Sequence, residues 1–100
     1  MMERRVLRAL RAHAADNVAT ALDELQAGDS VAVSASREAS GRETVVAATA
    51  VPKYHKLALR AIAAGEAVVK YGETIGEATV DIAPGAHVHV DNMNSRRGRR

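Results

Sequence analysis

Four histidines, His13, His55, His87 and His89, are the side chains of this sequence whose ordinary proton affinity lies near neutral pH. They fall in three short polar clusters: His13-Ala14-Ala15-Asp16-Asn17, Tyr54-His55-Lys56, and His87-Val88-His89-Val90-Asp91-Asn92. On a β-strand, residues two apart point the same way, so His87, His89 and Asp91 are expected to share one face. Two imidazoles and a carboxylate on one face make a ligand set for a divalent metal. A polar face on an edge strand gives the same pattern, and a lone His-x-His is a weak motif. Asp16 and Asn17 read equally as capping residues of a following helix, and His55-Lys56 as a solvated strand end.

The elements that must position these clusters are short. Val18, Ala21, Leu22 and Leu25 fall at i, i+3, i+4 and i+7, which predicts one short helix. Asp16 or Asn17 would start it and Gly28 would end it. Upstream, Val6 to Arg11 fits a helix or a strand. After Gly28 the period turns to two. Strands are expected around Val31 and Val33, along Thr44–Val51 up to Pro52, and around Leu57 and Leu59. Further strands are expected over Glu77–Ile82 and His87–Asp91, and the polar stretch Ser34–Glu43 reads as a loop or hairpin tip around Gly41. One frame recurs three times: Leu25-x-x-Gly28-x-x-Val31, Ile62-x-x-Gly65-x-x-Val68 and Ile82-x-x-Gly85-x-x-Val88. In each, an apolar anchor leads to a glycine able to take φ > 0, and a valine opens the next strand. Such a frame predicts a fold of short, bent strands.

Composition narrows the function. The chain has 100 residues, 47% of them hydrophobic, with two aromatic residues and no cysteine. It is one domain with an aliphatic core, modest stability, and use for a partner surface. Thiolate chemistry and disulfides are excluded. No apolar run reaches the ~18 residues of a membrane span and no secretory signal core is seen, so a cytoplasmic protein is expected. The net charge of +2 falls to −2 once the four arginines of Asn94–Arg100 are set aside. A domain over 1–93 and a basic, disordered tail over 94–100 are therefore expected. A single terminal cluster without aromatics does not predict a nucleic-acid partner.

Read together, the segments resemble one family. His13-x-x-Asp16-Asn17-Val18-Ala19, His55-Lys56-Leu57-Ala58-Leu59, Ala64-Gly65-Glu66, Lys70-Tyr71-Gly72, Ile75-Gly76-Glu77-Ala78-Thr79 and His87-Val88-His89-Val90 occur in order. This series is similar to the N-terminal SAF module of the altronate/galactarate dehydratases and spans about residues 6 to 92. The resemblance implies a mainly β fold, the β-clip, with one short N-terminal helix. It also implies a hydro-lyase subunit, inactive alone, that dehydrates aldonic or aldaric acids together with a large catalytic subunit. The chain looks like the separate small-subunit form, and a homo-oligomer is compatible with it. By the same resemblance His13, Asp16, Asn17, His55 and Lys56 are catalytic candidates, and Asn92 is a substrate-binding one. His87, His89 and Asp91 are candidate ligands for a divalent iron, manganese or magnesium ion, held mainly by the large subunit. Two departures stand out: Asp91 occupies a position where relatives carry a third histidine, and Tyr54 one where they often carry glycine. Alternatives are a noncatalytic carbohydrate-binding or assembly module of the SAF type, or the small subunit of a related sulfolactate sulfo-lyase.

Overall fold

A computed structural model describes residues 6–35 and 42–95. Nine strands follow one another: β1 (Leu7–Arg11), β2 (Val18–Ala21), β3 (Ser30–Ala35), β4 (Arg42–Val46), β5 (Lys56–Ala58), β6 (Ala67–Lys70), β7 (Glu73–Ala78), β8 (His87–Val88) and β9 (Met93–Ser95). Six form one curled sheet in the order β4-β3-β1-β2-β5-β8, and three form a second in the order β6-β7-β9. Only β1 and β3 pair in parallel; the other neighbours are antiparallel. These short strands folded over on themselves form the β-clip that the family resemblance implied, and they agree with the short, bent strands expected from the Gly-turn frame. None of the described residues forms a helix long and apolar enough to cross a membrane.

The expected N-terminal helix is not there. Val18–Ala21 is strand β2, lying between β1 and β5. Its apolar spacing has another cause. Val18 packs into one core with Ala58, Ile62, Val68, Ile82 and Val88, whereas Ala19 and Ala21 pack into another with Leu25, Val31, Val51 and Leu57. A central strand buried on both faces is apolar at adjacent positions, and over four residues that imitates a helical stripe. Three strand expectations also overran. β7 stops at Ala78, leaving Val80 exposed, and β8 stops at Val88, leaving Val90 exposed. Thr44–Val51 likewise ends its ladder at Val46, with Val51 returning as a single bridge to Leu25. The last strand, β9, spans Met93–Ser95. The hairpin tip around Gly41 and the arginines of the tail lie outside the described residues.

The recurring frame is fourfold rather than threefold, and longer than the sequence spacing suggested. Each copy starts with a buried alanine: Ala21–Leu25–Gly28–Val31, Ala47–Val51–Tyr54–Leu57, Ala58–Ile62–Gly65–Val68 and Ala78–Ile82–Gly85–Val88. The copies work in pairs. Leu25 bridges Val51 and Ile62 bridges Ile82. Within each pair, the turn residue of one copy donates its N–H to the leading alanine of the other. Gly28 bonds Ala47 and Tyr54 bonds Ala21; Gly65 bonds Ala78 and Gly85 bonds Ala58. The first pair encloses one core and the second pair the other.

The turn position has φ +94, +87 and +83 at Gly28, Gly65 and Gly85, and +73 at Tyr54. A side chain there costs about 1–2 kcal/mol, partly offset because glycine is the more flexible residue when unfolded. Tyr54 is two-thirds exposed and packs into no core. Tyr54→Gly is therefore expected to raise the unfolding free energy by about 0.5 kcal/mol in urea titration. Tyr54→Ala, which keeps the strain, is expected to bring no gain.

Candidate functional site

Three of the four histidines meet at the β5–β8 end of the large sheet. His55 precedes β5 and His87 opens β8, and the register Leu57↔His87 sets the two strands side by side. His55 Nδ1 and His87 Nε2 stand 2.9 Å apart and share a hydrogen bond. His89 stacks on His87 with ring centroids 3.9 Å apart and planes inclined by 18°. Its Nε2 lies 3.3 Å from the Asp91 carboxylate. His87, His89 and Asp91 lie together, but not by strand alternation. The chain leaves the strand after Val88, and a tight turn brings the groups together.

Asn92 builds that turn. Its Oδ1 accepts the His89 N–H, its Nδ2 donates to the His87 carbonyl, and its own N–H donates to the His89 carbonyl. Both ends of the amide are thus engaged in placing the histidines. Thr49 is a positioning residue that sequence reading missed: its hydroxyl oxygen accepts the His87 N–H at 3.1 Å. The signal was the unrecognised fourth frame, which puts Thr49 between Ala47 and Val51.

Burial lowers the His87 proton affinity below the usual imidazole range, and the neighbouring positive charges of His89, His55 and Lys56 lower it further; Asp91 opposes them. His87 is therefore a neutral base at pH 7. The linked stability has a definite sign. In the unfolded chain this imidazole takes up its proton near pH 6.5, whereas in the fold it does so only at lower pH. Between those points the unfolded state holds more protons, so His87 makes stability fall as pH drops below about 6.5. His87→Gln is expected to flatten the pH dependence of the melting temperature below about pH 6.5.

The metal expectation fares less well on geometry. Among the described residues no group of three His, Cys, Asp or Glu side chains is placed to hold a metal ion. His87 Nε2 faces His55, His89 Nε2 faces Asp91, and the near-parallel rings do not converge their lone pairs on one point. The set does not fit a divalent cation.

His13, Asp16 and Asn17 form a separate group. Asp16 is buried, and its two oxygens accept the N–H groups of His13, Tyr71 and Gly72. Asn17 donates to the Ala67 carbonyl and accepts from Val69 N–H. Together they fasten the segment before β2 to the β6–β7 hairpin, in place of the helix caps expected from the sequence. The His13 ring lies against Gly72, and its Nδ1 accepts the Ala15 N–H. Lys56 lies half-buried on the face of β5 opposite His55 and Leu57. Burial, and then the charge of Lys70, lower its proton affinity below the ordinary lysine value.

The model of one family, the altronate/galactarate dehydratase SAF domain, matches residues 7–96, nearly the whole chain. The chain belongs to this family. The SAF domain shares 43% identity over 86 residues with an altronate dehydratase of Escherichia coli strain K12, and 36% over 86 residues with one of Bacillus subtilis strain 168. Each match covers 86% of this chain but 16% of the relative, so the SAF domain spans about a sixth of those proteins. It is also 45% identical over 47 residues to the (2R)-sulfolactate sulfo-lyase subunit alpha of Paracoccus pantotrophus. That match covers 47% of this chain and 70% of the subunit. The relatives are lyases.

Proposed function

We propose that this SAF domain is the small subunit of a cytoplasmic sugar-acid dehydratase and lends its histidine face to a site completed by a large catalytic chain. The hydrogen-bonded His55–His87 pair, backed by His89 and Asp91, carries this reading. Dehydration removes a proton α to a carboxylate and expels the β-hydroxyl. A base that is neutral at pH 7 suits the first step, and its conjugate acid suits the second. The lowered proton affinity of His87 keeps its imidazole neutral and able to accept a proton at pH 7. His55 is exposed, with Nδ1 turned to His87, so its Nε2 is the outward end of a two-imidazole relay. A proton taken up at His55 Nε2 can be balanced by one released from Nδ1 to His87 Nε2. A divalent metal, if the reaction uses one, is better supplied by the large chain.

The test is the reconstituted two-chain enzyme. Replacing His87 and His89 together by alanine is expected to lower kcat about a hundredfold on an aldonic or aldaric acid, the usual weight of a proton-transfer group. Full activity would remove the cluster from the site. A second reading has its own support. The sulfo-lyase relatives are named as subunits, and 70% of one of them is covered by the match. Turnover of sulfolactate rather than a sugar acid by the same complex would favour it.

A further inference from the structure

The two faces of β5 carry different chemistry. His55 lies toward the imidazole cluster, whereas Lys56 faces an open cavity of about 670 Å³ that also receives Lys70. Clefts of roughly this size hold small organic ligands. Lys70 ends β6, and its ammonium stands 4.9 Å from the centre of the Tyr71 ring. Among the described residues no carboxylate stands within ion-pair distance of either ammonium. Lys70 is the register partner of Glu73, which also lines the cavity without pairing with it. Among the described lining residues, two cations and one anion leave the cavity with a single unit of positive charge.

We propose that this cavity binds the carboxylate of a small polyhydroxylated acid between the ammonium groups of Lys56 and Lys70. Two half-sequestered cations that repel one another gain most from one shared anion. The lowered proton affinity of Lys56, caused partly by Lys70, reports that repulsion. Glu73, Thr74 and Ser95 bring polar groups to the wall for hydroxyls, and Ile75 and Met93 bring apolar surface for the carbon chain. Glu73 accepts hydroxyl donors and repels a second carboxylate, so the site takes one acid group and not two. Choosing a hydroxylated acid as the ligand rests on the lyase reading above; the anion site itself rests on the two lysines.

Titration of the isotope-labelled full chain with sodium gluconate, followed by amide NMR, tests this without any catalytic readout. Gluconate is expected to shift the amides of Tyr71, Thr74 and Ser95, and sorbitol, which has the hydroxyls without the charge, is not. Lys56→Gln and Lys70→Gln are each expected to weaken gluconate about tenfold, with Lys70→Arg close to wild type. If Lys56→Gln disturbs the spectrum away from the cavity, the Lys70 variants decide alone. Equal shifts by sorbitol, tighter binding of inorganic phosphate than of gluconate, or Gln variants that bind gluconate unchanged would each overturn the proposal. The sorbitol, phosphate and Lys70 results leave the histidine face untouched. Conversely, gluconate binding that persists in a chain whose two-chain complex turns over no hydroxy acid removes the lyase reading and leaves the cavity standing.

Discussion

Gly85→Ala is expected to destabilise the domain by about 4 kcal/mol, against about 1 kcal/mol for Gly65→Ala. The two glycines hold the same place in paired frames and nearly the same backbone, φ +83 and +87. Their surroundings separate them. A methyl group on Gly65 meets nothing within 4 Å, so only the left-handed backbone resists it. A methyl group on Gly85 would run into the Val46 carbonyl oxygen and crowd the Ala48 nitrogen. Both are main-chain atoms and cannot swing aside. Gly85 is also where the two halves join: its carbonyl accepts the Ala48 N–H and its own N–H donates to Ala58. Alanine there would push the second core away from the first. For a domain with some 5–10 kcal/mol in all, that leaves little folded protein at 37 °C. Urea unfolding of the two variants side by side measures the difference; equal losses would show that the Val46–Ala48 segment yields freely.

Asp16→Ala is expected to cost about 3 kcal/mol. Its carboxylate accepts three backbone N–H groups, from His13, Tyr71 and Gly72, at 3.0, 3.0 and 2.8 Å. Removing it leaves those donors without their acceptor in a part-buried place, and each orphan costs on the order of 1 kcal/mol or more. The β6–β7 hairpin needs that clamp because its two-residue turn is Tyr71–Gly72, with φ +57 and +76. Such a turn favours Asn-Gly over Tyr-Gly. Asp16→Asn keeps one carboxyl-type oxygen and is expected to lose about half as much. Hydrogen exchange locates the effect: Tyr71 and Gly72 should lose protection first, while β1–β3 stays protected. A clamp that acts only structurally also predicts that Asp16→Asn leaves kcat of the proposed two-chain enzyme nearly unchanged at temperatures where it is folded.

The architecture was legible in the sequence wherever one local rule decided the conformation. A glycine flanked at three residues by apolar positions can take φ > 0, and the three copies of that frame foretold the turns between short, bent strands. The family series foretold which polar clusters to watch, and His55, His87 and His89 do come together. The failures have a common origin. Val18–Ala21 looked helical because periodicity cannot tell a strand buried on both faces from one turn of a helix. Only the pairing of β2 with β1 and β5 resolves that choice. The fourth frame was hidden because Tyr54 occupies a glycine position, and nothing local marks a strained tyrosine as a turn. Asp16 and Asn17 were placed at a helix start, but their partners in the hairpin, Ala67, Val69, Tyr71 and Gly72, lie fifty or more residues away.

Residue types and short-range spacing therefore settled the turns, the aliphatic cores and the cast of titratable groups. Tertiary structure alone decided which of those groups share a site. The hydrogen bond between His55 and His87, and the meeting of Lys56 with Lys70 on the other face of β5, depend on strand register across long loops. That register is set by the packing of two cores against each other, and no window of neighbouring residues contains it.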